Sequence, residues 1–90
     1  MSVYVNIHRT HRTYTDGLDR VIVAGQTVGD CLKALVHNYP DLDKILFAQD
    51  GTLRNHFEIY VNAQSAYPDE LKKKVSDGDE IHIIALLAGG

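Results

Sequence analysis

The sequence predicts an α+β domain in which a mixed β-sheet packs on one main helix, and three observations carry the prediction. First, one segment has an apolar stripe at helical spacing, with Val28, Cys31, Leu32, Leu35, Val36 and Tyr39 at i, i+3, i+4, i+7, i+8 and i+11. Second, several other segments alternate apolar and polar residues with the period of two that marks a half-buried strand. Third, no second helical segment of comparable length offers the stripe a partner, so it must bury against the apolar sides of the strands.

In chain order, Val3, Val5 and Ile7 alternate with Tyr4, Asn6 and His8 as a first strand. Thr15, Asp16 and Gly17 form a turn, and Leu18 to Ala24, with the β-branched run Val21, Ile22 and Val23, makes a second strand that closes a hairpin. Thr27 followed by Asp30 resembles a capping box, with the acid standing where Glu or Gln is usual, so the helix starts there. Pro40 disfavours helix at the residue before it and ends the run. Leu42, Ile45 and Leu46 read as a short second piece of helix before a loop at Asp50 and Gly51. Phe57, Ile59 and Val61 alternate with Glu58, Tyr60 and Asn62 as a third strand. Asp69 to Val75 reads as a helical turn after Pro68. Asp77, Gly78 and Asp79 then turn the chain into a last strand, Glu80 to Ile84, with Ile81 and Ile83 on one side and His82 and Ile84 on the other. A hairpin, a helix and further strands in this order give the β-grasp layout, over residues 1–84, followed by a flexible tail over 85–90.

Composition narrows the functional classes. Ninety residues make one small domain with one core. The 44% hydrophobic and 23% charged content and the formal charge of −3 fit an ordinary globular domain without the basic footprint of a nucleic-acid binder. The single cysteine, Cys31, rules out an internal disulfide and the CxxC pairs of a structural zinc or iron–sulfur site. Met1 to Thr15 lack the apolar run of a signal peptide, and no stretch approaches the ~20 apolar residues that span a bilayer, so the expected location is the cytoplasm, with no membrane partner.

The chemistry is expected at the end of the chain. Ala85, Leu86, Leu87, Ala88, Gly89 and Gly90 contain no charged side chain and extend about 20 Å when fully stretched. The two glycines let the backbone pass a narrow channel, leaving the Gly90 carboxylate as the reactive group at the tip. A carboxylate is a poor acyl donor and must be activated. Adenylation by ATP creates a good leaving group, and attack by sulfide or a persulfide then leaves a thiocarboxylate, whereas attack by an amine would join Gly90 to a lysine. No Walker loop or other phosphate cradle occurs in the chain, so it binds no cofactor and ATP must bind on a partner.

Thr27-Val28-Gly29-Asp30-Cys31-Leu32, Tyr60-Val61-Asn62, Asp77-Gly78-Asp79-Glu80-Ile81 and Ala88-Gly89-Gly90 together resemble the MoaD/ThiS family of ubiquitin-like sulfur carriers, in order and over essentially the whole chain. The resemblance implies a ubiquitin-like β-grasp fold and two kinds of partner: an adenylating enzyme of the ubiquitin-activating type, and a biosynthetic enzyme that accepts the sulfur. It makes the chain a protein co-substrate, not an enzyme, of molybdopterin or cysteine/homocysteine type. The alternatives are a modifier conjugated to lysines through Gly90 and a stable small subunit of molybdopterin synthase. One departure is that many members have proline just before the tail, where this chain has Ala85 and Leu86.

Other residues invite functional readings and receive structural ones. Cys31 lies on the apolar stripe and reads as buried and inert. His8 and His11 lack a carboxylate cluster and read as solvent-facing, so no metal site is expected. Lys72, Lys73 and Lys74 read as a solvated face, and Asp77, Asp79 and Glu80 as turn residues. Tyr60 and Ile84 differ, because their phase puts both on the sheet face away from the helix, where apolar groups mark a partner-binding surface.

Overall fold

The computed structural model describes residues 2–85. Its elements are β1 (Ser2–Asn6), a 3-10 helix (Arg9–Thr15), β2 (Arg20–Ala24), α1 (Val28–Asn38), α2 (Asp41–Leu46), β3 (Phe57–Val61), β4 (Gln64–Ser65), a 3-10 turn (Glu70–Lys72) and β5 (Glu80–Ala85). The strands make one mixed sheet in the order β2-β1-β5-β3-β4. β1 runs antiparallel to β2 and parallel to β5, and β5 runs antiparallel to β3. The last strand in sequence is therefore the middle strand in space.

Alternation along the strands settles which face is covered. Val3, Val5, Val21, Val23, Ile59, Ile81 and Ile83 all point into the core. Val28, Cys31, Leu32 and Leu35 of α1 meet them at zero exposure, the apolar stripe read from the sequence. On β5 the phase is the expected one, with Ile83 buried and Ile84 36% exposed. This is the β-grasp arrangement of a mixed sheet on one main helix.

The capping box forms in a shifted version. Thr27 Oγ1 accepts from the Asp30 N–H at 3.1 Å, but the Asp30 carboxylate accepts from the Gln26 N–H at 3.3 Å, one residue before the cap. The shorter acid reaches the preceding amide in place of the cap's own. α1 gives way at Tyr39, and Pro40 serves as the N-cap of α2, which buries Leu42 and Leu46.

Several local features differ from the sequence reading, beginning with β1, which ends at Asn6, before Ile7 and His8. The β1–β2 connection contains a seven-residue 3-10 helix, so the hairpin is wider than a simple turn. β2 begins at Arg20 because Leu18 is held in a turn: its N–H donates to Thr15 O, and the buried Thr15 hydroxyl donates to Leu18 O at 2.8 Å. β4 is two polar residues paired to the end of β3, too short to leave a periodic signal. Only Glu70–Lys72 of the expected turn over Asp69 to Val75 is helical. Lys73 to Val75 instead runs extended beside the start of α1, where Lys73 O accepts from the Val28 N–H and the Val75 N–H donates to Gln26 O. An orphan amide of the helix N-terminus is satisfied in this way.

At β5 the strand continues through Ala85, which pairs with Phe57, although the sequence reading places Ala85 in the tail.

Gly29 is required by this packing. A Cβ at position 29 would stand 2.8 Å from Leu71 O, so only glycine lets the first turn of α1 lie against the chain after β4. Gly29→Ala is expected to lower the urea midpoint, since overpacking costs about 1–3 kcal/mol and the better helix propensity of Ala offsets only about 1 kcal/mol. An unchanged midpoint would mean that Leu71 yields freely. In thermal melts, Ile83→Asp is expected to unfold the domain by burying an unpaired carboxylate, while Ile84→Asp leaves the melt close to wild type. The reverse order of the two variants would invert the strand phase.

Candidate functional site

The residues expected to carry the chemistry, Leu86, Leu87, Ala88, Gly89 and Gly90, lie outside the described residues. The structure does establish where they begin. Their root, Ala85, ends a strand paired on both sides, by Tyr4, Val5 and Asn6 with Glu80, Ile81 and His82 on one edge and by β3 on the other.

Tyr60 and Ile84 come together on the outward face. Tyr60 pairs with His82 and Glu58 pairs with Ile84, so Tyr60 and Ile84 are diagonal neighbours on adjacent strands, within reach of an aromatic side chain. Around them Asn6, His8, Asn62 and His82 complete a shallow groove of about 360 Å³. Asn6 and His8 were not singled out for this surface, because they reach it only through the parallel pairing of β1 with β5, which no local pattern encodes. His82 was legible as outward from the alternation of β5.

Two motifs that are far apart in sequence interlock at the other end of β5. Asn62 adopts φ 55°, a left-handed conformation that asparagine tolerates. Its Nδ2 donates to Asp79 Oδ1 at 3.1 Å, and its Oδ1 accepts from the Glu80 N–H at 3.1 Å. Asp79 Oδ2 also accepts from the Ser76 N–H at 2.8 Å, and Asp77 accepts from the Ser2 N–H at 2.6 Å. Gly78, at φ 86°, donates its N–H to Ser2 O. The acidic turn is thus a clamp that sets the register of β5 against β1 and β3. The hydrogen bonds from Ser76 and then Asn62 hold the Asp79 carboxyl below the usual carboxylate value.

Beyond the groove, Glu80 and Arg20 form an ion pair at 3.4 Å, and the Arg20 guanidinium lies 4.1 Å from the centre of the Tyr4 ring. Cys31 is fully buried, and burial followed by the neighbouring Asp30 pushes its thiol up. Its structural reading holds. Lys72, Lys73 and Lys74 are exposed, while the backbone of Lys73 and Lys74 is used against α1. His8 is exposed but His11 is half-buried, its ring centre 5.7 Å from that of Phe57. Burial, then His8, then His56 keep the His11 imidazole below its usual value. Among the described residues no group of three or more His, Cys, Asp or Glu side chains is arranged to hold a metal ion.

The fold, with its helix-backed mixed sheet and a central last strand, defines the ubiquitin-like β-grasp class. Within it, the ThiS family profile matches residues 7–90, and the chain belongs to that family. The sulfur carrier protein CysO of Mycobacterium tuberculosis is 31% identical over a 93-residue alignment that covers all of both chains. Small archaeal modifier protein 1 of Haloferax volcanii is 38% identical over 72 residues, 79% of each chain. Among solved structures, a chain of the Amycolatopsis orientalis BexX/CysO complex superposes with a TM-score of 0.88 at 28% identity, covering 98% of this chain and 99% of that one.

The clamp generates two expectations. Asn62→Ala removes two hydrogen bonds and leaves alanine in a left-handed conformation, an expected loss of about 1–3 kcal/mol. Asn62→Gly should recover the backbone part of that loss, and equal losses for the two variants would show that φ is not the issue. For Asp79 the folded value lies below the unfolded value of about 3.8. Its contribution is therefore complete above that unfolded value and disappears as pH falls through the folded one. The melting-temperature gap between wild type and Asp79→Asn is expected to narrow as pH falls below that unfolded value. A gap independent of pH would remove ionised Asp79 from the clamp.

Proposed function

We propose that this chain is a protein co-substrate that carries sulfur as a thiocarboxylate on Gly90 and delivers it to a biosynthetic enzyme of the cysteine or homocysteine type. The observation that carries the reading is that the family match runs through Gly90 and that the CysO alignment spans both chains completely. The Gly90 carboxylate attacks the α-phosphate of ATP on an adenylating enzyme of the ubiquitin-activating type, and pyrophosphate leaves. Sulfide then attacks the acyl carbon, AMP leaves, and the thiocarboxylate remains. The chain supplies the acyl group and the surface by which it is recognised. The partner supplies the ATP site. A cytoplasmic location, where ATP is at hand, fits this reaction, and no helix among the described residues is long and apolar enough to cross a membrane.

The outward face supports recognition by folded partners. Tyr60 and Ile84 give it an aromatic and an aliphatic anchor beside the strand that leads to the tail, the kind of pair that forms the centre of an interface. Leu86 and Leu87 extend this apolar character along the tail sequence toward Ala88, Gly89 and Gly90. A second reading, conjugation of Gly90 to lysines, is favoured by the 38% identity to small archaeal modifier protein 1.

Intact mass of the protein from its own cells is expected to show one sulfur in place of one oxygen, confined to the C-terminal peptide. Gly-Gly remnants on lysines of other proteins, with no sulfur exchange, would replace the carrier reading with the modifier one. Deletion of Gly90 is expected to leave the thermal melt unchanged and to abolish AMP formation with the adenylating enzyme. Ile84→Asp and Tyr60→Asp are each expected to weaken binding to that enzyme by more than about 1 kcal/mol, roughly fivefold in Kd. Wild-type affinity in both variants would take the outward face out of recognition.

A further inference from the structure

A second surface surrounds the root of the tail, at the opposite end of β5 from the Asn62–Asp79 clamp. Phe57 pairs with Ala85, the last described pair of the β3–β5 ladder. Three imidazoles gather at this point. The His56 and His11 rings lie 4.3 Å and 5.7 Å from the Phe57 ring, centre to centre, and His8 lies 6.2 Å from His11. His11 lies at the end of the core with Ile7, which follows β1, Ile83 of β5, and Leu42 and Leu46 of α2. His8 borders both this end and the outward groove, so the two surfaces are continuous.

The charge here runs against that of the whole molecule. The chain carries a formal −3, yet the 3-10 helix that brings His8 and His11 also brings Arg9 and Arg12. Among the described residues the one ion pair is Arg20–Glu80, so neither arginine has a carboxylate within 4 Å. Arg12 uses its Nε on Ile7 O at 3.1 Å, leaving the rest of its guanidinium uncommitted to an acid. The acids of the surrounding elements make no ion pair with either arginine among the described residues. Glu58 takes the outward phase of β3 opposite Ile84, Asp41 and Asp43 are exposed on α2 while Leu42 and Leu46 face inward, Asp16 follows the 3-10 helix, and Asp19 meets Ile7 through its backbone carbonyl, which accepts the Ile7 N–H at 2.9 Å. The charges acting on His11 are the like-signed His8 and His56, which, with burial, keep it below its usual value.

We propose that this histidine-rich collar, His8, His11 and His56 flanked by Arg9 and Arg12, is a docking surface for an acidic face of the protein that receives the tail, with docking strengthened as pH falls. The inference rests on the carrier reading in one respect, that an enzyme takes up the tail. Residues 86–90 span at most about 17 Å when extended at ~3.3 Å per residue. An enzyme that holds Gly90 in its active site therefore brings its entrance to within that distance of the collar. Carboxylates on that rim favour the charged imidazoles, so docking takes up protons, and the linkage tightens binding in the range where imidazoles change charge, pH 5 to 8. Salt weakens it, because both surfaces are exposed.

The test uses the full chain with a hexaglutamate peptide as the acidic probe, followed through the histidine ring resonances in low salt at about pH 6 and about pH 7.5. The ring signals of His8, His11 and His56 are expected to shift on titration, with an apparent affinity at least about fivefold tighter at the lower pH. The response should be lost in His8→Gln/His56→Gln and in Arg9→Glu, with folding of each confirmed by melt. Shifts centred on Lys72 to Lys74, an affinity independent of pH, or tighter binding of a hexanucleotide than of the peptide would each overturn the collar. Pyrophosphate exchange with the adenylating enzyme separates the two ideas. Wild-type chain that binds the peptide but is never adenylated defeats the carrier reading and leaves the collar standing. Chain that is adenylated normally yet shows no peptide response defeats the collar alone.

Discussion

The pairing of β5 on both edges is the constraint on which the rest depends. Its parallel partner, β1, comes from the opposite end of the chain, so Asn6 Nδ2 reaches Glu80 Oε1 across 74 positions. Nothing local can position that strand. It is fixed instead by hydrogen bonds at its start, where Asn62, Asp77 and Asp79 bind backbone amides, and by the burial of Ile81 and Ile83 against α1 and its neighbours. A strand held this way gives residues 86–90 a fixed point of departure, and the domain becomes a mount for the end of its own chain.

The same constraint explains which parts of the molecule were legible in the sequence. Local periodicity determines which side of an element is apolar, so the stripe from Val28 to Leu35 and the opposed phases of Ile83 and Ile84 could be read directly. The 3-10 helix after β1 could not, because Arg9–Thr15 has no apolar period and is held by single contacts such as Arg12 Nε to Ile7 O and the hydroxyl of Thr15. β4 was illegible for a related reason, since two residues cannot show a period. On the outward face, Tyr60 and Ile84 were found from their phase alone. Asn6 and His8 joined them only through the β1–β5 crossover, and the gathering of His8, His11 and His56 around Phe57 needs three separate connections to come together.

The motifs that betray the family are mostly not its chemistry. Gly29 is there because Leu71 O comes too close for a side chain, Thr27 and Asp30 because the helix needs its first amides satisfied, and Asn62 and Asp79 because a left-handed turn and a strand start must be joined. These positions answer to geometry at the rear and start of the sheet, remote from Ala85. A sequence can therefore announce this fold through its scaffolding while the proposed reactive group, a backbone carboxylate, has no side chain to recognise.

The burial of Cys31 has a chemical consequence for such a chain. An acyl group activated for transfer reacts with any thiolate it can meet, and the one thiol here is enclosed at zero exposure with its ionisation suppressed. In the proposed chemistry this thiol cannot intercept the activated acyl group while the domain stays folded, and no disulfide pairs two copies through this residue. Among residue types, a small sulfur-bearing hydrophobe suits the space beside Gly25. Folding turns the most hazardous side chain for this trade into inert filling.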